Sequence, residues 1–388
     1  MGVNGLGLTR SLGEVGIPVT AVATGSRWAP ELHSRYCDAL VWPSPVTEPE
    51  RLLELLLTEG RKLQRPGVLL PANDSFVLFL SRYRAQLASR FVFALPAPSV
   101  SEALADKRRQ YEMAERAGIP CPQTFHLKTS GDVETIKNAL QYPAFLKPCV
   151  SALWAPVFRV KGFRIEGPAD LEGRLAEVAS SGLDVIVQAI VPGPNVNLLL
   201  VRVYLDANQR LLALYTQRKV RQYPIDFGDA TLCESIRAED VAALGTELLR
   251  RIAYHGLAST EFKRDERTGE LKLIEINPRL GQNNILNTRC GVNFPLIAYL
   301  DLTGQKPEPV VTFREGVRYL VVGKDVRAFA EYRRRGELGL VAWIRSLASV
   351  RAFPFLDCGD PVPFLMAMAR GLWQRLRHFR DRRGHGVP

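Results

Sequence analysis

The first hundred residues alternate short apolar runs with helical spacings. Val19-Thr-Ala-Val-Ala23 is long enough for a buried strand, and Glu48 to Leu63 repeats leucine at helical intervals behind a Glu-Pro start. Val68-Leu-Leu-Pro71 predicts a short strand ending at Asn73-Asp74, which can cap the following helix. Phe91-Val-Phe-Ala-Leu95 predicts another strand. Strands alternating with helices imply an α/β unit with a parallel, doubly wound sheet. Met1-Gly-Val-Asn-Gly-Leu-Gly7 predicts a Gly-rich turn that opens a helix from Leu8 to Val15. In a doubly wound sheet such a turn follows the first strand. That strand is therefore expected ahead of Met1, through a late beginning or a misassigned start, rather than lacking from the sheet.

Past Leu95-Pro-Ala-Pro-Ser99, a plausible boundary, the pattern changes. A polar helix from about Lys107 to Ala117 stops at Gly118-Ile-Pro120, and Pro143-Ala-Phe-Leu-Lys147 is a strand ending in a lysine. Val185 to Gln188, Val196 to Leu205 and Leu211 to Gln217 are strand-like, and a helix is expected from roughly Ala238 to Tyr254. Ser259 to Arg264 and Leu271 to Ile276 form two strands joined by a turn at Thr268-Gly269. The middle is therefore α+β with many antiparallel strands. After about Lys306 the pattern weakens, and Pro363 to Arg383 predicts a basic amphipathic helix. Its apolar face (Phe364, Leu365, Met368, Leu372, Trp373 and Leu376) is expected to cap the core; the other reading is a weak peripheral contact with an anionic membrane.

With 388 residues the chain has room for two or three domains. No apolar run approaches the roughly 18 residues of a membrane helix, and no charged start followed by an apolar stretch marks a secretory leader. The six cysteines are scattered without a CxxC pair, which disfavours a zinc site or a disulfide framework and makes a reducing cytoplasm the expected location. The formal net charge of +11 favours anionic partners such as nucleotide phosphates or acidic substrates. Much of the excess lies in Arg370, Arg375, Arg377, Arg380, Arg382 and Arg383, a basic tail that we expect to be solvated. No nucleic-acid partner is expected, and nothing in the sequence sets the oligomeric state.

The strongest chemical signal is Glu261-Phe-Lys followed by Lys272-Leu-Ile-Glu275-Ile-Asn277-Pro-Arg279. Side chains two apart on a strand share a face, so Glu275 and Asn277 point together. Glu261, on the preceding strand of the hairpin, can stand beside them. Two carboxylates and an amide oxygen form a hard-oxygen set, suited to Mg²⁺ shared with nucleotide phosphates and not to zinc. Arg279, just past the strand, can stabilise charge on a transferring phosphoryl group. A dinucleotide site at Gly5-Leu-Gly7 is disfavoured, because Arg10 stands where the third glycine belongs and no acid stands near Thr24-Gly25. The histidines (His33, His126, His255, His378 and His385) show no metal-binding or triad spacing.

This closing string resembles that of the ATP-grasp superfamily, and other pieces fall in the same order. Ala105-Asp106-Lys107 resembles its opening Asp-Lys, Tyr142 to Pro148 its phosphate-binding strand, and Val187-Gln188-Ala-Ile-Val-Pro-Gly193 its adenine hinge. Within the superfamily the chain looks most similar to the predicted carboxylate–amine ligases. That likeness rests on Asn4 to Gly7 with Arg10-Ser-Leu-Gly, Ser34-Arg35-Tyr36, and Gln217 to Pro224 with Phe227-Gly228. The resemblance implies a Rossmann-like parallel-sheet domain over 1–100, short of its first strand. A two-lobed ATP-grasp domain would follow over 101–305, with a small lid lobe over about 107–185 and a larger lobe over about 186–305, and an extension over 306–388. It implies Lys107 and Lys147 on the α- and β-phosphates, Gln188, Ala189 and Ile190 lining adenine, and Asn195 or Asn197 near the ribose. Arg218 and Lys219 would face the phosphates or the carboxylate substrate. Glu261, Glu275 and Asn277 would hold Mg²⁺, with Mn²⁺ as an alternative. The activity implied is ATP-dependent activation of a small carboxylate as an acyl phosphate and its transfer to an amine. Two departures are Ala189, where the hinge usually has an acid, and the stretch Val150-Ser-Ala-Leu-Trp154-Ala-Pro, which has no glycine where a phosphate-covering loop is often glycine-rich. They motivate a second reading, a non-catalytic nucleotide-binding protein. Trp154 would be a lid residue there or a buried aromatic.

Overall fold

A computed structural model describes residues 2–127 and 130–384. The side chains beyond Trp373, among them Arg375, Leu376, Arg377, His378, Arg380, Arg382 and Arg383, lie outside the described part, as does His385.

The N-terminal stretch runs α1 (Gly2–Gly13), β1 (Thr20–Ala23), β2 (Asp38–Val41), α2 (Pro49–Lys62), β3 (Gly67–Val68), α3 (Asp74–Arg82) and β4 (Phe91–Val92). Asn73 caps α3 by accepting from the Phe76 N–H. The leucine spacing of α2 buries Leu52 and Leu56 against Val77, Phe79 and Leu80 of α3. The strands are parallel, but β1 pairs only with β2 and β3 only with β4, so they form two separate pairs where one sheet was expected. The predicted Gly-rich turn at the start is instead helical, since α1 begins at Gly2. Gly7 is there for close approach, because a Cβ on it would fall 1.8 Å from Asn284 Oδ1.

Four antiparallel strands follow: β5 (Thr124–Leu127), β6 (Ala144–Pro148), β7 (Phe163–Ile165) and β8 (Val185–Ala189), in the order β5-β8-β6-β7. Apolar residues of β6 and β8 pack on the helix Pro168–Ala179 through Leu171 and Val178. The glycine-free stretch expected as a loop is a helix, Ser151–Phe158. Trp154 on it is 1% exposed, stacks near Phe158 and donates from Nε1 to the Val160 carbonyl at 2.7 Å, so it belongs to this core and is not a lid residue.

The larger sheet contains β9 (Leu198–Leu205), β10 (Leu211–Tyr223), β11 (Asp229–Ser235), β12 (Gly256–Arg264), β13 (Leu271–Asn277), β14 (Arg318–Leu320) and β15 (Val350–Ala352), ordered β13-β12-β9-β10-β11-β14-β15. All pairings are antiparallel except β14 with β15. One face buries Val201, Val203 and Phe262 under the helix Glu239–Arg251, whose Val241, Leu248 and Leu249 face it. The other packs Tyr204, Tyr215 and Leu257 against Leu8 of α1 and the helices Asn284–Arg289 and Phe294–Leu302.

The weakly patterned C-terminal stretch is held by buried ion pairs. Arg10 meets Asp360 at 2.9 Å, and Asp360 also accepts from Ser34 Oγ and the Arg35 N–H. Arg221 makes a two-pronged pair with Asp325 at 2.9 and 2.8 Å. These networks absorb Arg10, Ser34-Arg35 and Arg221 from the strings noted in the sequence. The last helix, Val362–Gly384, does not cap the core with its apolar face as expected: Leu365, Met368, Leu372 and Trp373 are exposed.

Candidate active site

The hairpin β12–β13 places Glu261 opposite Glu275 and Ser259 opposite Asn277. Residues directly opposite in an antiparallel pair share a face, with Cβ atoms about 5 Å apart. Glu261, Glu275 and Asn277 therefore stand together, half-buried, on one face of the large sheet. Among the described residues, the Glu261 and Asn277 side chains make no hydrogen bond, so two hard oxygen donors are free beside a third. No group of three or more His, Cys, Asp or Glu residues comes together elsewhere among the described residues. The donor set fits a divalent ion of the magnesium type.

The helix Lys107–Arg116 joins this hairpin to the four-stranded sheet. Asp106 caps it by accepting from the Arg108 and Arg109 N–H groups. The Lys107 N–H donates to the Cys149 carbonyl at 2.8 Å, just past β6, while Lys107 Nζ pairs with Glu275. One turn on, Gln110 clamps β13: Nε2 donates to the Ile276 carbonyl at 2.8 Å, and Oε1 accepts from the Ile276 N–H at 3.0 Å. Tyr111, 2% exposed, donates to the Ile274 carbonyl.

Lys147, at the end of β6, is 9% exposed. Its Nζ donates to Tyr111 Oη at 3.0 Å and to Gln188 Oε1 at 2.8 Å, and Gln188 Nε2 donates to Thr124 Oγ1 at 2.7 Å. Burial and the nearby Lys107 charge pull the Lys147 ammonium down to about 7, since its two partners are neutral. Burial pushes the Tyr111 phenol well above its ordinary value, which keeps it neutral. Burial alone would raise the Glu275 carboxyl, but Lys107, then Lys147 and Arg279, outweigh it and hold it at about 2. The site thus sets an ionised Glu275 beside Glu261 and facing two lysines, of which Lys147 titrates near about 7.

The hinge follows β8. The Ala189 N–H donates to the Gln123 carbonyl at 2.9 Å and the Ile190 N–H to the Pro143 carbonyl at 3.0 Å, so both are committed to the sheet. The next N–H, on Val191, makes no hydrogen bond among the described residues and is left able to donate.

Several expected residues stand elsewhere. Arg279 is held by Asp74 at 2.8 Å through two nitrogens, so it is not a free cation, although its charge acts on Glu275. Arg218 and Lys219 cannot both face the phosphates, because adjacent strand residues point to opposite faces. Register places Lys219 on the face of Gln217 and Glu261 and Arg218 on the other, where it shares Glu234 with Arg318. Lys219 reaches Gln222 at 3.5 Å. Asn195 donates to Tyr332 Oη at 2.5 Å and accepts from Gln222 at 2.9 Å, while Asn197 donates to the Arg264 carbonyl at 3.3 Å.

Arg202 was not foreseen. It is fully buried on the Glu261 face, opposite Ser259, and its guanidinium donates to Asn287 Oδ1 at 2.6 Å, to Gln217 Oε1 at 3.3 Å, to Ser259 Oγ at 3.2 Å and to Asn283 Oδ1. Its hydrogen-bond partners are all neutral, and Glu261 acts on its charge. The available signal was one arginine inside the apolar run Leu198-Leu-Leu-Val-Arg-Val-Tyr-Leu205.

Two sheets thus face each other across the Lys107 helix. They also touch where Phe145 of β6 stacks on Phe227 in the β10–β11 turn, 4.1 Å between ring centres, and where Lys161 pairs with Asp229 at 2.6 Å. No family model matches the chain. It is 25% identical over 352 residues to a D-aspartate ligase of Enterococcus faecium, covering 86% of this chain and 83% of that protein. In fold it is similar to the biotin carboxylase domain of the Hydrogenobacter thermophilus 2-oxoglutarate carboxylase, solved with MgADP, ADP and bicarbonate. The TM-score is 0.64 at 18% identity, over 82% of this chain and 71% of that one. An L-amino acid ligase of Bacillus licheniformis gives a TM-score of 0.60 at 16% identity, over 79% and 73%. The chain thus has the fold of these solved structures and is similar to the D-aspartate ligase over most of its length, and its Asp106-Lys107, Lys147 and acid pair keep the order that resembles the ATP-grasp superfamily.

Proposed function

We propose that the chain is an ADP-forming ligase that uses ATP and magnesium to join a small carboxylate to an amine. The observation that carries this is the facing of Glu261, Glu275 and Asn277 by Lys107 and Lys147 across one helix. That arrangement suits a polyphosphate and its metal. The D-aspartate ligase relative makes D-aspartate the first carboxylate to test.

In this reading Glu261, Glu275 and Asn277 hold the magnesium ion, which when bound offsets charge on the triphosphate. Lys147 and Lys107 bind phosphate oxygens, and Lys107 exchanges Glu275 for phosphate as the nucleotide enters. Gln188 and Tyr111 orient Lys147. The Val191 N–H, beside Ala189 and Ile190, meets the adenine edge, and Asn195 or Asn197 lies near the ribose. A carboxylate oxygen attacks the γ-phosphorus and the bond to ADP breaks, giving an acyl phosphate. The amine nitrogen then attacks the carbonyl carbon, phosphate leaves, and the amine gives up a proton. Amines do not displace oxide from a free carboxylate at neutral pH, so the chain's task is to position and neutralise charge. Lys219, on the Glu261 face, is the cation of its pair that can reach a substrate carboxylate.

We further assign residues 1–100 to a Rossmann-like unit, 101–305 to the nucleotide-binding unit and 306–388 to an extension, in a reducing cytoplasm. The exposed Leu365, Met368, Leu372 and Trp373 support a weak peripheral membrane contact by the last helix. The test of the main reading is phosphate release with ATP and magnesium on a panel of carboxylate and amine pairs, D-aspartate included. Amine-dependent phosphate release is expected. Tight nucleotide binding with no release on any pair would favour a non-catalytic binder, the reading motivated by Ala189.

A further inference from the structure

Phe145 of β6 stands directly opposite Gln188 of β8 and two residues before Lys147. Residues opposite one another in an antiparallel pair share a face, and so do residues two apart on one strand. The Phe145 ring therefore lies on the same side of the four-stranded sheet as the hydrogen bond from Lys147 Nζ to Gln188 Oε1. Gln188 leads straight into the hinge, where the Val191 N–H is left able to donate. A nucleotide that turns its base edge to that N–H and its phosphates to Lys147 lays the flat of the base on Phe145. Aromatic side chains accept any base in this way, because every base has a π-face. Here that surface is taken. Phe227 stacks on Phe145 with ring centres 4.1 Å apart and planes 26° apart. A base between the two rings would need them about 7 Å apart, roughly twice the ordinary contact distance between carbons.

Phe227 comes from the large sheet, in the turn between β10 and β11. Ile225, 3% exposed, packs on Ala328 and Tyr332 of the helix Val322–Arg334, and Asp226 pairs with Arg335 at 2.9 Å. These two residues anchor the turn while Phe227 reaches across to β6. It does so at φ 58°, a left-handed conformation uncommon for a bulky residue. Asp229, at the start of β11, is shared between Lys161 at 2.6 Å and Lys324 at 2.8 Å, so it keeps a partner beside its own sheet when Lys161 is released. We propose that the exposed face of Phe145 is the base-stacking surface of the nucleotide site and that Phe227 is its displaceable cover, which leaves Phe145 when the base arrives. The inference rests on the nucleotide-binding reading above and adds to it a side chain that competes with the nucleotide. The exchange is nearly balanced: one aromatic stack replaces another, the turn backbone can leave its left-handed conformation, and Asp229 keeps Lys324. In the empty site the cover shields an apolar ring from water.

The test is calorimetry of MgADP binding to the unaltered chain, to Phe227→Ala, to Phe145→Ala and to the double variant. Phe227→Ala should bind MgADP about 2- to 10-fold more tightly, because it removes the aromatic pair that the base has to break. Phe145→Ala should bind at least about fivefold more weakly, and removing Phe227 as well should then bring no gain. A residue that only shapes the turn, or that helps to hold the nucleotide, lowers affinity when it is removed, so a gain does not come from a merely structural role. Equal or weaker binding by Phe227→Ala would overturn the proposal and leave the nucleotide reading intact, as would unchanged affinity of Phe145→Ala. No MgADP binding by either the unaltered chain or Phe227→Ala would overturn both. If Phe227→Ala does not fold, Phe227→Leu keeps an apolar side chain without the ring and decides the question with the same expected sign.

Discussion

Seating a triphosphate against Lys147 should draw a proton from solution. With only neutral Tyr111 and Gln188 for partners, and burial and Lys107 against it, this ammonium titrates near about 7. At pH 8 roughly nine-tenths of the molecules then hold it neutral. A polyphosphate brought within hydrogen-bond reach favours the charged form and restores the proton. Nucleotide phosphates are already ionised at pH 8. Binding should therefore take up about 0.9 proton per nucleotide there, and apparent affinity should fall about tenfold per pH unit from about 7 to 10. Calorimetry of MgADP binding in buffers of different ionisation enthalpy reads the uptake as a slope. Lys147→Met should bind more weakly and lose the slope. A slope near zero in the unaltered protein would show that Lys147 is already charged and would refute the account. The same shift has a sign for stability. The unfolded chain keeps this proton up to about 10.5 and the folded chain only to about 7, so the unfolded state binds more protons in that window, and this group makes stability rise with pH across it.

Glu275→Gln should lower amine-dependent phosphate release by at least about 100-fold while leaving the melting temperature within a few degrees, since it removes a proposed metal ligand at a half-buried position; unchanged turnover would remove Glu275 from the metal site. Gln110→Ala should cost about 2–4 kcal/mol in denaturant unfolding, because it strands the buried N–H and C=O of Ile276, and a loss under 0.5 kcal/mol would show that water replaces the side chain. Deleting residues 363–388 should abolish co-sedimentation with anionic liposomes; equal sedimentation of both forms would exclude the last helix as the contact.

Much of the site was legible in the sequence because its elements are local. Period-two alternation placed Glu275 and Asn277 on one face, the hairpin brought Glu261 beside them, and the polar helix from Lys107 and the strand ending at Lys147 fell close to their expected bounds. The same alternation, followed through the register, removes Arg218 from the site and keeps Lys219. Other outcomes needed the packed chain. Arg279 is bound by Asp74, which is 205 residues away in sequence, and no local pattern encodes that pairing. Gln110 and Tyr111 act through the backbone of Ile276 and Ile274, so their side-chain identity alone carries no sign of the role. Arg202 lies in an apolar strand, and only the sheet order shows that its neighbours supply neutral oxygens.

The glycines of α1 promised a turn because glycine permits one, yet Gly7 packs closely on Asn284 and Gly13 on Tyr36, and those contacts are tertiary facts. Charge and composition pointed to anionic partners, and the order of short motifs carried the resemblance to ATP-grasp proteins. Tertiary structure decided which cations remain free to meet a phosphate, that Lys147 stands between neutral partners, and that β1–β2 and β3–β4 form separate parallel pairs. Burial and long-range pairing set those outcomes, and neither is a property of residues near one another in the chain.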